Sequence, residues 1–255
     1  MLVHGAWHGA WCWAGLQAEL DRRGVPSYAV DLPGHGVSTD PAGSLADHIA
    51  HVDEVLAGVS GSDGPAAPVV LVGHSYGGAV VSGVTPPADL LSAVVFVTAF
   101  APLSGECVND IVRANRSSDT ALADSMVFGD DGFSTLDPAG AVTALYGETP
   151  DPARRAAVAR LGPHRMSTFT EPLATSLLGS VPTLYVRCSL DRAVPLDQQE
   201  ACAERCDEVV TLRADHSPFL SAVDGLASII ERVALDGVAL DGVALDGDPL
   251  GGDAP

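Results

Sequence analysis

Residues 68–84 read PVVLVGHSYGGAVVSGV: an unbroken apolar run, a glycine-rich turn from Gly73 to Gly78, then small and apolar residues halted by Pro86 and Pro87. An apolar run without polar alternation suits a strand buried on both faces of a parallel sheet, and the small residues after the turn suit a helix packed closely on it. Between the two, Gly73-His74-Ser75-Tyr76-Gly77 matches G-x-S-x-G in the strand-turn-helix setting that makes the match a nucleophile elbow. Such a turn holds its serine in a strained backbone conformation, which glycines two residues to either side permit. It also sets Ser75 at a helix N-terminus, where backbone N–H groups favour developing negative charge.

Outward from the elbow, short apolar runs alternate with helical patterns, as a mainly parallel sheet with helices on both faces requires. Met1–His4 and Val25–Leu32 read as strands before it, and Leu91–Phe100, Val181–Cys188 and Glu208–Arg213 as strands after it. The first is short against the usual five or six residues or so, which a mis-set start codon would explain. Ser44 caps a helix through Val59 on which Leu45, Ile49, Val52, Val55, Leu56 and Val59 form the apolar stripe. His48 and His51 fall off that stripe and read as solvated. Roughly eighty residues with little strand character separate the strands at Leu91 and Val181, an insertion that reads as a helical cap over one sheet edge. The expected organisation is an α/β core from 1–101 and 180–235, a helical cap at 102–179, and a low-complexity acidic tail at 236–255. The closing helix spans Ser221–Val233; VALDG then occurs three times from Val233 to Gly247, with a period that serves neither helix nor strand, so a mobile tail is expected from Asp236.

The 255 residues carry a formal charge of −20, and all 13 basic side chains are arginine. Without lysine, Schiff-base, pyridoxal and Walker-type phosphate chemistry is excluded. So acidic a surface also argues against nucleic acid or an anionic membrane as partner. The five cysteines show neither a disulfide framework nor zinc-ribbon spacing, and Cys202 and Cys206, one helical turn apart, read as partly buried thiols rather than a metal clip. No secretory leader or membrane-length apolar run is seen, so a cytoplasmic enzyme without metal or cofactor is expected.

A serine hydroxyl needs a base and an acid to orient that base, in this layout in the chain order Ser, Asp, His after successive strands. His216, just past the last strand, is the expected base; the other histidines lie before or beside Ser75, on the helix face, or in the cap. Asp191 follows the preceding strand and is the expected acid. Asp197 lies further along, Asp215 adjoins His216 in sequence and is poorly directed toward its ring, and the strand end Thr98-Ala99-Phe100 offers no carboxylate. The N–H groups of Tyr76 and Ala6 are the expected oxyanion donors. Trp7 and Phe100 are expected to face the substrate, whereas Trp11 and Trp13 suit core packing.

HGAWHGAWCW, DLPGHG, GHSYGG, RLGPHRMSTFTEP, SLDRAVP and ADHSPF together resemble the α/β-hydrolase family of plant methylesterases and salicylic-acid-binding protein, with its hydroxynitrile-lyase branch and bacterial pyrethroid hydrolases. The resemblance runs from Leu2 to about Val233; the short first strand, the compressed TPPADLL connection and the repeat tail depart from it. It implies a capped Ser-His-Asp hydrolase with the triad on Ser75, His216 and Asp191, cleaving small to medium hydrophobic or aromatic esters. Two other readings use the same scaffold: a hydrolase, thioesterase or cyclase of secondary metabolism, and a ligand receptor without turnover. In the hydroxynitrile-lyase branch a lysine follows the catalytic histidine and a threonine follows the first histidine of the oxyanion turn. Here those positions are Ser217 and Gly5, which favours ester hydrolysis and suggests open space for an ester carbonyl at Gly5.

Overall fold

The computed structural model describes residues 1–60, 68–87, 89–115 and 120–238. In chain order, β1 (Leu2–Val3), a 3-10 turn at Ala10–Trp13 and α1 (Ala14–Arg22) precede β2 (Ala29–Val30), α2 (Leu45–Ser60), β3 (Val69–His74), α3 (Tyr76–Ser82) and β4 (Leu91–Val97). A middle segment holds α4 (Val108–Ala114), α5 (Ala121–Ser125), β5 (Met126–Phe128), β6 (Phe133–Leu136), α6 (Pro138–Leu145), α7 (Asp151–Val158) and β7 (His164–Arg165). The chain returns through β8 (Thr183–Cys188), α8 (Leu196–Ala203), β9 (Glu208–Leu212), α9 (Pro218–Ser221) and α10 (Val223–Asp236).

The main sheet has the order β2-β1-β3-β4-β8-β9, with every neighbouring pair parallel. Its two faces show why the central runs are apolar throughout. Along β4, Val94 and Phe96 join the core layer under α2 and α3, while Ala93, Val95 and Val97 join the layer under α1 and α10. Both layers remove side chains almost wholly from water, so a polar residue on either face is costly unless it finds a partner, as the Tyr185 hydroxyl does on the Ala99 carbonyl. The expected strands are all present but trimmed. β2 keeps only Ala29–Val30 because β1 offers it two residues to pair with, and Pro26 has no N–H to give a ladder. β4 ends at Val97 because Thr98 turns to φ 38°.

Three expectations are corrected. The middle segment contains helices, but also an antiparallel sheet β5-β6-β7, with Met126 opposite Leu136 and Phe128 opposite Ser134. Strands this short carry no usable periodicity; the readable signal was the Gly129-Asp130-Asp131-Gly132 turn, which Gly132 closes at φ 82°. His48 is not solvated but fully buried, because Pro33 and the middle segment cover the second side of α2; His51 is half-buried. Finally, α10 continues through Asp236, Gly237 turns the chain at φ 80°, and Val238 packs back into the core at 9% exposure. The rest of the expected mobile tail, from residue 239 on, lies outside the described residues.

Candidate active site

Ser75 joins β3 to α3 with φ 52° and ψ −123°, a conformation side-chain-bearing residues rarely adopt. Backbone hydrogen bonds hold it there: its N–H donates to the Val97 carbonyl at 3.3 Å, and its own carbonyl accepts from Gly78 at 2.9 Å and Phe100 at 3.1 Å. A Cβ on Gly77 would come within 2.5 Å of the His4 carbonyl oxygen, so only glycine lets α3 start this close to the end of β1.

The N–H of Tyr76 opens α3 and has no acceptor within the helix. Among the described residues neither it nor the Ala6 N–H donates to a protein acceptor. The Ala6 donor is aimed by a residue the sequence reading assigned no role. His4 donates from Nδ1 to the Gly5 carbonyl at 2.8 Å while its Nε2 accepts from Leu32 at 3.1 Å. Because the Gly5–Ala6 peptide is planar and trans, holding its carbonyl on one side turns its N–H to the other. His8 fixes the next carbonyl in the same way, donating from Nδ1 to Ala6 at 2.8 Å and accepting from the Tyr146 hydroxyl at 2.8 Å. Trp7, at φ 60°, fastens this turn to the middle segment: its indole N–H reaches the Ser134 carbonyl at 3.2 Å and hydroxyl at 3.1 Å.

His216 and Asp191 meet as the chain order implies. His216 donates from Nδ1 to Asp191 Oδ2 at 2.7 Å, and both side chains are buried. That bond fixes the tautomer, leaving Nε2 as the proton-accepting nitrogen. Asp191 Oδ1 accepts from the N–H groups of Ala193 at 2.7 Å and Val194 at 2.9 Å, and the Thr98 hydroxyl donates to Oδ2. Thus the strand end that lacks a carboxylate supplies a donor to one. His74 donates from Nε2 to the His216 carbonyl at 2.7 Å, with the two rings 4.6 Å apart, and so steadies His216 from the residue before Ser75. Asp215 points away from the His216 ring. Its oxygens accept from the Glu148 N–H at 2.8 Å, the Thr149 hydroxyl at 3.1 Å, the Ser217 N–H at 3.0 Å and the Ser221 hydroxyl at 2.6 Å. Asp197 accepts from the Gln198 N–H at the start of α8.

Burial holds His4, His8, His35, His48, His74 and His164 neutral by lowering their pKa values, those of His8 and His48 to about 4. His35 and His164 bond each other at 2.9 Å between the core and β7, and the Tyr76 hydroxyl donates to His48 Nδ1 at 2.8 Å. Unfolded histidines take up protons from near pH 6.5, whereas folded His8 and His48 resist until about pH 4. In that window the unfolded chain binds more protons, so stability present above pH 6.5 is lost as pH falls. The expected result is a melting temperature that declines steadily from pH 6.5 to 4; a flat profile in thermal melts would contradict it. Burial also pushes the Cys202 and Cys206 thiols up to about 11 and 12, which keeps both protonated and inert.

At the carboxyl ends of the strands a cavity of about 260 Å³ opens beneath the middle segment, walled largely by Trp7, Phe100, Val108, Met126, Met166 and Phe169. Trp7 and Phe100, expected from the sequence, both line it. Its wall touches the site elements, since Phe100 bonds the Ser75 carbonyl and Ala193 bonds Asp191. A larger groove of about 490 Å³ lies at the opposite end of the sheet, between Met1, Tyr28, Val69 and Ile230. It contains none of these groups, and ligands of open α/β sheets bind at the carboxyl ends of strands.

A strained serine between a parallel strand and its helix, with an Asp–His pair on the loops after the last two strands, is the architecture of an α/β-hydrolase enzyme. The chain belongs to the alpha/beta hydrolase family, whose model matches residues 1–229. It is 29% identical to methylesterase 7 of Arabidopsis thaliana over 252 residues, covering 92% of this chain and 95% of that protein. It is 31% identical to norfluorocurarine synthase 2 of a Strychnos species over 260 residues, covering 91% and 94%. Among solved structures, polyneuridine aldehyde esterase superposes with a TM-score of 0.77 at 24% identity, covering 91% of this chain and 97% of that one. A pyrethroid hydrolase from Sphingobium faniae superposes with a TM-score of 0.75 at 22% identity, covering 91% and 95%.

Proposed function

We propose that Ser75, His216 and Asp191 are the catalytic triad of a carboxylesterase that needs no cofactor and acts on small to medium hydrophobic or aromatic esters. The observation that carries the reading is the 2.7 Å His216–Asp191 bond, in the tautomer a general base requires, on the same sheet end as a serine at φ 52°. Ser75 attacks the ester carbonyl while His216 Nε2 takes its proton, and the oxyanion is met by the N–H groups of Ala6 and Tyr76. His216 returns the proton to the departing alcohol, and water then releases the acid by the same route. Methylesterases among the relatives support an ester as substrate, and the apolar wall of Trp7, Phe100 and Phe169 suits a hydrophobic or aromatic one. Residues 102–179 serve as the cap over this cavity, with 1–101 and 180–235 as the core. No helix among the described residues is long and apolar enough to cross a membrane, and the five unpaired thiols suit a reducing cytoplasm. The test is hydrolysis of p-nitrophenyl acetate and butyrate, with a fluorophosphonate probe expected to label Ser75; failure of both would leave the receptor reading.

The likeness to norfluorocurarine synthase 2 favours one second reading, in which the same triad serves a biosynthetic step on a lactone, thioester or carrier-bound chain. Faster turnover of lactones or acyl thioesters than of simple esters would select it.

Cyanohydrin cleavage is expected to be absent. Cyanide leaves as an anion and needs a cation aimed at it, yet the residue after His216 is Ser217, Arg213 is exposed, and no charged residue among the described ones lines the cavity. The space expected at Gly5 is not there: a Cβ at that position would lie 2.9 Å from both Ser75 Cβ and His74 Nδ1, so the turn is closed down on the nucleophile and a threonine would not fit unshifted. A cyanide-indicator assay on mandelonitrile should read the uncatalysed background, and Ser75-dependent release would overturn the assignment.

A further inference from the structure

The cavity wall holds a buried amide that no described residue bonds. Gln198, in the first turn of α8, lines the cavity at 3% exposure. Among the described residues no group hydrogen-bonds its carboxamide; only its backbone N–H is engaged, by Asp197. Its neighbour shows what a structural glutamine does here. The Gln199 carboxamide accepts from the Cys188 N–H at 2.8 Å and donates to the carbonyls of Cys188 at 3.1 Å and Val194 at 2.8 Å, clamping the loop that carries Asp191. Buried amides without partners are costly and rare, so one kept at a cavity wall needs a reason. The open space beside Gln198 is the cavity it lines.

The same wall carries Asn109 on α4, the helix beside α8, whose carboxamide likewise has no hydrogen bond among the described residues. Thr120 accepts from the Ala123 N–H at 3.1 Å to cap α5, which leaves its O–H free to donate. Among the described residues no arginine, aspartate, glutamate or histidine lines the cavity. A carboxylate on the ligand would therefore lie unpaired in an apolar wall, and so would an ammonium. An uncharged donor or acceptor such as a carbonyl, hydroxyl or ether satisfies the amide without that cost.

We propose that Gln198, assisted by Asn109, is a specificity-determining residue that selects esters whose arm carries an uncharged hydrogen-bonding group. The proposal rests on the esterase reading of this cavity and deepens it. Two amides in a hydrocarbon wall discriminate against a ligand that leaves them unpaired more strongly than against a mere change of length.

The experiment uses the full chain and two p-nitrophenyl esters of equal acyl length, the pentanoate and the 4-oxopentanoate. The ratio of their kcat/KM values, corrected for uncatalysed hydrolysis, is compared between wild type and Gln198→Leu. The leucine variant is expected to lower the oxo-to-alkyl ratio about five- to tenfold, the size of one neutral hydrogen bond; Gln198→Met should do the same and serves if the leucine variant does not fold. A second measurement does not depend on turnover: calorimetric Kd values of hexane-2,5-dione and heptan-2-one for Ser75→Ala, with and without Gln198→Leu. There the preference for the dione should fall by a similar factor. If wild type hydrolyses neither ester but the ketone preference still depends on Gln198, the esterase reading fails while Gln198 is kept as the group that binds an uncharged hydrogen-bonding ligand. If ester and ketone ratios both ignore Gln198, the inference is wrong even with the esterase intact.

Discussion

Replacing Ser75 with alanine is expected to lower kcat/KM for p-nitrophenyl esters by about 10⁴- to 10⁶-fold while the protein folds as before, because the members of the proposed triad act as a unit. The fold survives because the elbow is held by its backbone. The bonds of Ser75 to Val97, Gly78 and Phe100 are all main-chain, and its side chain makes no capping bond to α3. The variant keeps one liability of the parent, since alanine at φ 52° is strained as serine is. Ser75→Gly removes that strain and should therefore melt above Ser75→Ala while being equally inactive. This pair separates loss of the nucleophile from loss of structure. Near wild-type turnover in Ser75→Ala, with a fluorophosphonate still labelling another residue, would show that the nucleophile lies elsewhere.

What could be read from the sequence was local or followed from chain order. The elbow is written in contiguous residues because Gly73 and Gly77 answer a constraint imposed within five positions. β4 was visible because both its faces are buried, which leaves no choice but apolar residues from Ala93 to Val97. The meeting of Asp191 with His216 followed from the order of strands without any contact being known. The supports of the site were not legible, because each depends on residues brought together by packing. Thr98 bonds Asp191 across 93 positions and His74 bonds the His216 carbonyl across 142, and neither spacing has a signature. His48 misled for a related reason. Its place off the apolar stripe implied water, but a helix covered on two sides buries polar residues as well, provided they find partners such as Tyr76 and Pro33.

Asp191→Asn is expected to lower kcat about 10⁴-fold, and the four donors around the carboxylate explain why an amide cannot evade the loss. Oδ1 faces the N–H groups of Ala193 and Val194, fixed in the backbone of the loop, while Oδ2 faces the Thr98 hydroxyl and the Nδ1–H of His216. Asparagine keeps one acceptor oxygen and gains an NH₂ group. With that NH₂ toward Ala193 and Val194 it would oppose two donors that cannot move. The amide therefore settles with its oxygen there and its NH₂ toward His216, whose ring can respond by shifting its proton from Nδ1 to Nε2. A protonated Nε2 cannot accept the Ser75 proton, so the base is disabled although every heavy atom stays near its place. Asp215→Asn provides the contrast. Asp215 also faces four donors, but these join the His216 loop to Glu148, Thr149 and α9 rather than to the imidazole. Its loss should appear as a melting temperature lowered by several degrees, with kcat falling by no more than about tenfold, because the tautomer of His216 is untouched. The two variants thus predict opposite patterns in kcat and thermal stability. A larger fall in kcat at Asp215 than at Asp191 would move the role of the acid from one carboxylate to the other.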